Sequence, residues 1–201
     1  TLYVSLFKDE HTPEVRTYSL DDVNDKQMYN RLVKRGGLTL MVPGMDQNMY
    51  SNSALSKIYT SEDKLVITFD MFGNADAPKH TSTTEILTLD LKQDKATLQK
   101  LPYLDTKKRL LFNSYVHQNK AYRFILSGRA LQLEVHDLVT DKLLKHYAYS
   151  EEDTIDLMVN DALRVGTPNS WSPGSRSIET NKKLFKKLGN GIPAIAVDTL
   201  P

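Results

Sequence analysis

Three runs of alternating or β-rich residues each lead into the same polar phrase. They are Val15-Arg16-Thr17-Tyr18-Ser19-Leu20, Thr84-Glu85-Ile86-Leu87-Thr88-Leu89 and Leu131-Gln132-Leu133-Glu134-Val135-His136. A period of two sends successive side chains to opposite faces of a strand, so each run predicts a β-strand. The phrases that follow are Asp21-Asp22-Val23-Asn24-Asp25-Lys26, Asp90-Leu91-Lys92-Gln93-Asp94-Lys95 and Asp137-Leu138-Val139-Thr140-Asp141-Lys142. Asp favours turn conformations and Lys seeks water, so Asp-x-x-x-Asp-Lys predicts a hairpin corner. The returning arms are Gln27-Met28-Tyr29, Ala96-Thr97-Leu98 and Leu143-Leu144-Lys145.

An earlier arm recurs as well. Ser61-Glu62-Asp63-Lys64 opens onto Leu65-Val66-Ile67-Thr68-Phe69, and His117-Gln118-Asn119-Lys120 opens onto Ala121-Tyr122-Arg123-Phe124-Ile125, with Leu2 to Phe7 in the matching place at the start. Self-similarity of this kind marks stacked copies of one supersecondary unit, since one unit cannot bury its own apolar face. The fold class expected is all-β, an array of antiparallel meanders at about 1–35, 54–104 and 110–150 in a single domain of 201 residues.

The order strand, turn, strand, Asp-x-x-x-Asp-Lys turn, strand resembles the outer part of a β-propeller blade, whose last hairpin often carries a phrase like Asp-Leu-x-Thr-x-Lys. Asp137 to Lys142 is the nearest match. The resemblance covers residues 1 to 150 in patches and implies a small or incomplete propeller. A β-sandwich or barrel is the alternative, because any meander with polar hairpins has similar punctuation. The interval from Asp90 to Asp137 fits the ~40 to 50 residues of a common blade, but that from Asp21 to Asp90 is longer. Insertions at Gly36 to Tyr50 and Gly73 to Ser82 account for the excess.

The remainder, 151–201, departs from the repeats. Gly166 to Ser175 has the Gly, Pro, Ser and Asn density of an irregular loop. A short helix at 181–188 is predicted from Leu184, Phe185 and Leu188 on one side and Gly189 as the stop. Ile192-Pro193-Ala194-Ile195-Ala196-Val197 then reads as a strand, 192–198, suited to pair with Leu2 to Phe7 and close a ring.

Composition narrows the function classes. Twenty-six basic residues against 25 acidic ones leave a net charge of +1, which argues against a strongly basic nucleic-acid face. The absence of cysteine removes disulfides, thiolate zinc sites and cysteine nucleophiles. No cofactor is implied. The Cys-free, Tyr-, Asn- and Thr-rich chain reads as an exported protein, periplasmic or on the cell surface, in the manner of a bacterial envelope lipoprotein.

Catalytic signatures are sparse. The histidines, His11, His80, His117, His136 and His146, include no His-Glu-x-x-His pair. Ser61-Glu62-Asp63-Lys64 matches Ser-x-x-Lys, but it precedes a strand and lacks the companion boxes of the serine acyl-enzymes, so a turn is expected. Glu151, Glu152 and Asp156, with Asp153, offer the paired carboxylates of a glycosidase or simply a solvated loop. Trp171, flanked by Asn169 and Arg176, offers a flat apolar face with polar rims for a sugar or side chain, or else an anchor for the tail. Met41, Met45 and Met49 suit a ligand groove or a loop packed by flexible side chains. Lys182, Lys183, Lys186 and Lys187 describe either a membrane-facing helix or an ordinary helix on a sheet. The expectation is a binding or scaffolding module, more a binder than an enzyme, recognising a protein, peptide or glycan through loops. A glycosidase-like hydrolase using residues 151–156 is the rival.

Overall fold

The computed structural model describes residues 1–7, 12–23, 25, 28, 30, 32, 38–41, 55–61, 63–71, 83–102, 110–127, 130–150 and 152–153. The expected helix 181–188 and strand 192–198 lie outside these, as do the insertion Gly73 to Ser82 and, apart from residues 38–41, the insertion Gly36 to Tyr50. The described residues are mostly strand, as the alternation predicted, in three sheets; among them no closed barrel or propeller is formed. The chain divides into two compact units, Thr1–Leu104 and Asp105–Pro201.

In the first unit, β1 (Leu2–Phe7) and β2 (Pro13–Tyr18) form an antiparallel hairpin. A five-stranded sheet follows in the order β3 (Thr39–Met41), β4 (Ser56–Thr60), β5 (Lys64–Met71), β6 (Thr83–Asp90) and β7 (Lys95–Pro102), with β3 parallel to β4 and the rest antiparallel. Register puts Ile58, Ile67, Leu87 and Leu98 in one row across β4 to β7. That row, with Phe69, Leu89 and Ala96, joins Tyr18 and Met28 in the core, and Leu2, Val4 and Leu6 of β1 pack against it.

The second unit holds β8 (Leu110–His117), β9 (Lys120–Ser127), β10 (Ala130–Asp137) and β11 (Lys142–Ser150), a four-stranded antiparallel meander. It repeats β4 to β7 in hydrogen-bonding detail. Lys64 pairs with Asp90 and Lys120 pairs with Asp137. In each copy the Asp carboxylate accepts two backbone N–H groups of its own turn, from Lys92 and Gln93 at 2.9 Å each, and from Val139 at 2.7 Å and Thr140 at 3.0 Å. The next residue ties this turn to the neighbouring hairpin, Leu91 N–H donating to the Asp63 carbonyl and Leu138 N–H to that of Asn119. Each turn ends on an Asp with positive φ, 49° at Asp94 and 55° at Asp141. Asp is among the few residues that accept that backbone, because its short side chain bonds locally. The β8–β9 connection is tighter, with φ of 47° and 59° at Gln118 and Asn119, as a type I′ turn requires.

The first copy of the phrase does not make this turn. Leu20–Val23 is a 3₁₀ helix, Asp21 N–H bonds the Ser19 hydroxyl, and Met28 and Leu32 are helical. Leu20, Val23, Met28 and Leu32 recur at nearly helical spacing, and the core takes all four. Burying them overrides a hairpin, so this stretch is no blade corner.

Candidate functional site

Of the carboxylates at the repeat boundary, Glu151 and Asp156 lie outside the described residues, as do Trp171, Asn169 and Arg176. Glu152 sits on an exposed turn after β11, where its N–H donates to the Ser150 hydroxyl. Asp153 accepts the Ser150 N–H at 2.6 Å, which holds its carboxyl below the usual range and ionised. That suits a strand cap and not a proton donor. Ser61 Oγ donates to the Lys64 carbonyl at 3.2 Å, so the Ser-x-x-Lys match is a turn. Met41 is buried on β3, while Met45 and Met49 fall outside the described residues. Among the described residues no three His, Asp or Glu side chains form a metal-binding group, and no helix is long and apolar enough to cross a membrane.

Two buried polar groups were not singled out from the sequence. The face of β4 to β6 opposite the core row carries Lys57, Thr68, Asp70 and Thr84, all buried. Thr84 Oγ1 donates to Asp70 Oδ1 at 2.8 Å. Burial drives the Lys57 ammonium down to about 8, against the opposing charge of Asp70. Among the described residues the Thr68 hydroxyl has no hydrogen-bond partner.

The second group crosses β8 to β11 in one row, Ser114, Arg123, Glu134 and His146, with His136 two residues along β10 on the same face. Arg123 is 1% exposed, and its Nη1 lies 3.1 Å from Glu134 Oε2, which His136 Nε2 approaches to 2.9 Å. Burial works against ionising Glu134. The His136 hydrogen bond and the charges of Arg123, His136 and His146 outweigh it and hold the carboxyl below its usual range. A charge-assisted pair inside an apolar face orients its own members, and on this sheet it runs from the buried strands toward the exposed edge.

The third feature is the outward face of the β1–β2 hairpin. Tyr3, Ser5 and Phe7 pair with Thr17, Val15 and Pro13. Tyr3 is 70% exposed, Phe7 68% and Val15 56%. The six positions include no charged residue, whereas the inward face carries Glu14 and Arg16 beside Leu2, Val4, Leu6 and Tyr18. Arg16 there bridges Glu14 and Asp94, and Tyr18 Oη donates to the Asp90 carbonyl, so the hairpin is fixed to the β6–β7 turn. A signal for this surface was present in Leu-Tyr-Val-Ser-Leu-Phe, which is apolar at both parities and uncharged.

No family of known proteins, no curated relative and no solved structure matches this chain.

Proposed function

We propose that this chain is a non-enzymatic binding or scaffolding module of propeller-like β architecture, and that its partner is a protein or peptide. The observation that carries the reading is the uncharged outward face of β1–β2, where Tyr3, Phe7 and Val15 stand mostly in water. Clustered exposed apolar side chains are uncommon on monomers and mark contact sites. Fully covering each of the three is worth roughly 1.5–3 kcal/mol before the costs of association. A face without charge or buried donors suits apolar side chains better than a glycan.

The propeller-like part of the proposal draws on the two meanders, β4 to β7 and β8 to β11, which share one turn and one inter-hairpin tie. The test is selection of a displayed random-peptide library against the full chain and against a Tyr3→Ser/Phe7→Ser/Val15→Thr variant of equal thermal stability. Enrichment of binders by the first and not the second is expected. Equal enrichment by both would reject the face as the contact. Turnover of a glycan panel that disappears on Glu151→Gln, Glu152→Gln and Asp156→Asn substitution would replace binding with hydrolysis.

A further inference from the structure

Glu134, His136 and His146 stand on one face of the β10–β11 pair, and two of them already touch. His146 is the cross-strand partner of Glu134, and His136 follows Glu134 by two residues on β10. Directly opposed residues of an antiparallel pair hold their Cβ atoms about 4.5–5.5 Å apart, and two residues along a strand span ~7 Å. Side chains as long as these can therefore meet over one point. Between Val135 and His136 the register shifts, with Leu144 as the extra residue on β11. Bulges bend a strand and re-aim its side chains, and they are over-represented beside functional sites.

We propose that Glu134, His136 and His146 bind a late first-row divalent cation, zinc foremost, through two imidazoles and one carboxylate. The three do not form a metal-binding group as they stand. The movement still required is that of His146, which is exposed on β11 and can turn inward by changing rotamer. The other two ligands are in place, with His136 Nε2 2.9 Å from Glu134 Oε2. Zinc bonds of ~2.0–2.2 Å to nitrogen and oxygen put two ligand atoms roughly 2.9–3.5 Å apart, so the ion takes the place of the proton between these atoms with little displacement of either. Imidazole ligands select zinc, nickel, copper or iron over calcium and magnesium, which prefer oxygen alone.

The surroundings suit such an ion. Arg123 Nη1 lies 3.1 Å from the same Glu134 Oε2 and approaches from β9, on the side of β10 away from His146. Outer partners of this kind orient ligating carboxylates. Phe112, Ala121 and Ile125, on the same face of β8 and β9, are buried, whereas His146 and Ala148 on β11 are exposed. Three protein ligands with an apolar floor and one open side leave a coordination position for water or for a donor atom of an incoming ligand. Nothing in this site depends on the β1–β2 hairpin.

Zinc titrated into the full chain and followed by calorimetry should show one ion bound per chain. Cobalt(II) in its place should give the visible spectrum of a four- or five-coordinate ion with nitrogen and oxygen ligands. His146→Ala removes an exposed side chain and should leave the β-sheet circular dichroism unchanged; His136→Ala removes the second imidazole. Loss of a mere outer partner costs ~10–100-fold in metal affinity, so each variant should weaken zinc by about tenfold or more. His117→Ala, on the opposite face of β8, should alter neither Kd nor spectrum. Absence of zinc binding by the full chain would overturn the site. So would unchanged binding by His146→Ala, because the ion would then be held by other histidines.

Discussion

Arg123 and Glu134 provide a sharp test of how the second unit is held together. Arg123 is 1% exposed and its guanidinium lies 3.1 Å from the Glu134 carboxylate, whose side chain is 19% exposed. Glu134→Leu takes a carboxylate away from a buried guanidinium, and breaking such a pair from one side costs about 3–5 kcal/mol. Arg123→Met leaves Glu134 with His136 at 2.9 Å and partial access to water, so a smaller loss of about 1–3 kcal/mol is expected. The double variant removes both charges and puts aliphatic volume beside Phe112 and Ile125, so it should approach wild-type stability. The coupling in the cycle is then about 4 kcal/mol or more, because the two single losses are absent from the double variant. Urea unfolding followed by circular dichroism reads all four proteins. Additive single effects, or a Glu134→Leu cost under about 1 kcal/mol, would mean that solvent screens the pair and that it does not organise the sheet.

Other outcomes follow from the turns and from Lys57. Asp90 and Asp137 ionise more readily in the folded chain because backbone N–H groups bind their carboxylates, of Gln93 and Lys92 in one and of Thr140 and Val139 in the other. Their contribution is present above the unfolded pKa near ~3.9 and is lost as pH falls through the lower folded value. Asp90→Ala and Asp137→Ala should thus each lower the urea midpoint at pH 7, and the gap to wild type should shrink in acid. Asp141→Gly and Asp94→Gly each relieve positive φ but forfeit the contacts of the Asp, the Arg16 bridge in the case of Asp94, so neither should stabilise by more than about 1 kcal/mol. Lys57, with a folded pKa of about 8 set by burial, binds its proton less tightly than in the unfolded chain. Stability should therefore rise with pH from about 8 towards the unfolded value near ~10.4, and Lys57→Met should flatten that rise in chemical denaturation across pH.

The hairpins of β6–β7 and β10–β11 were legible because their chemistry is local. An Asp that caps its own turn and a second Asp tolerant of positive φ act within a few residues. The same phrase at Asp21 misled, since whether it forms a hairpin depends on where Leu20, Val23, Met28 and Leu32 find a core, and that is a tertiary matter. Lys57 and Arg123 gave no warning. Each sits in an ordinary alternating strand, Ser56-Lys57-Ile58-Tyr59 and Ala121-Tyr122-Arg123-Phe124, where alternation says that a residue faces away from its neighbour but not that its own face is buried too. β1 was legible as a strand from its pattern, but that Leu2, Val4 and Leu6 would be the side packed against the core is a tertiary matter.

The two meanders join their middle strands very differently, β5 to β6 through residues 72–82 and β9 to β10 through Gly128 and Arg129 alone. Alignment of both sheets is fastened at the opposite pole, where Leu91 and Leu138 clasp the adjacent corner. The same strand order is thus reached with eleven residues at this join in one meander and two in the other. Length at that join therefore does not dictate the order of strands in either sheet.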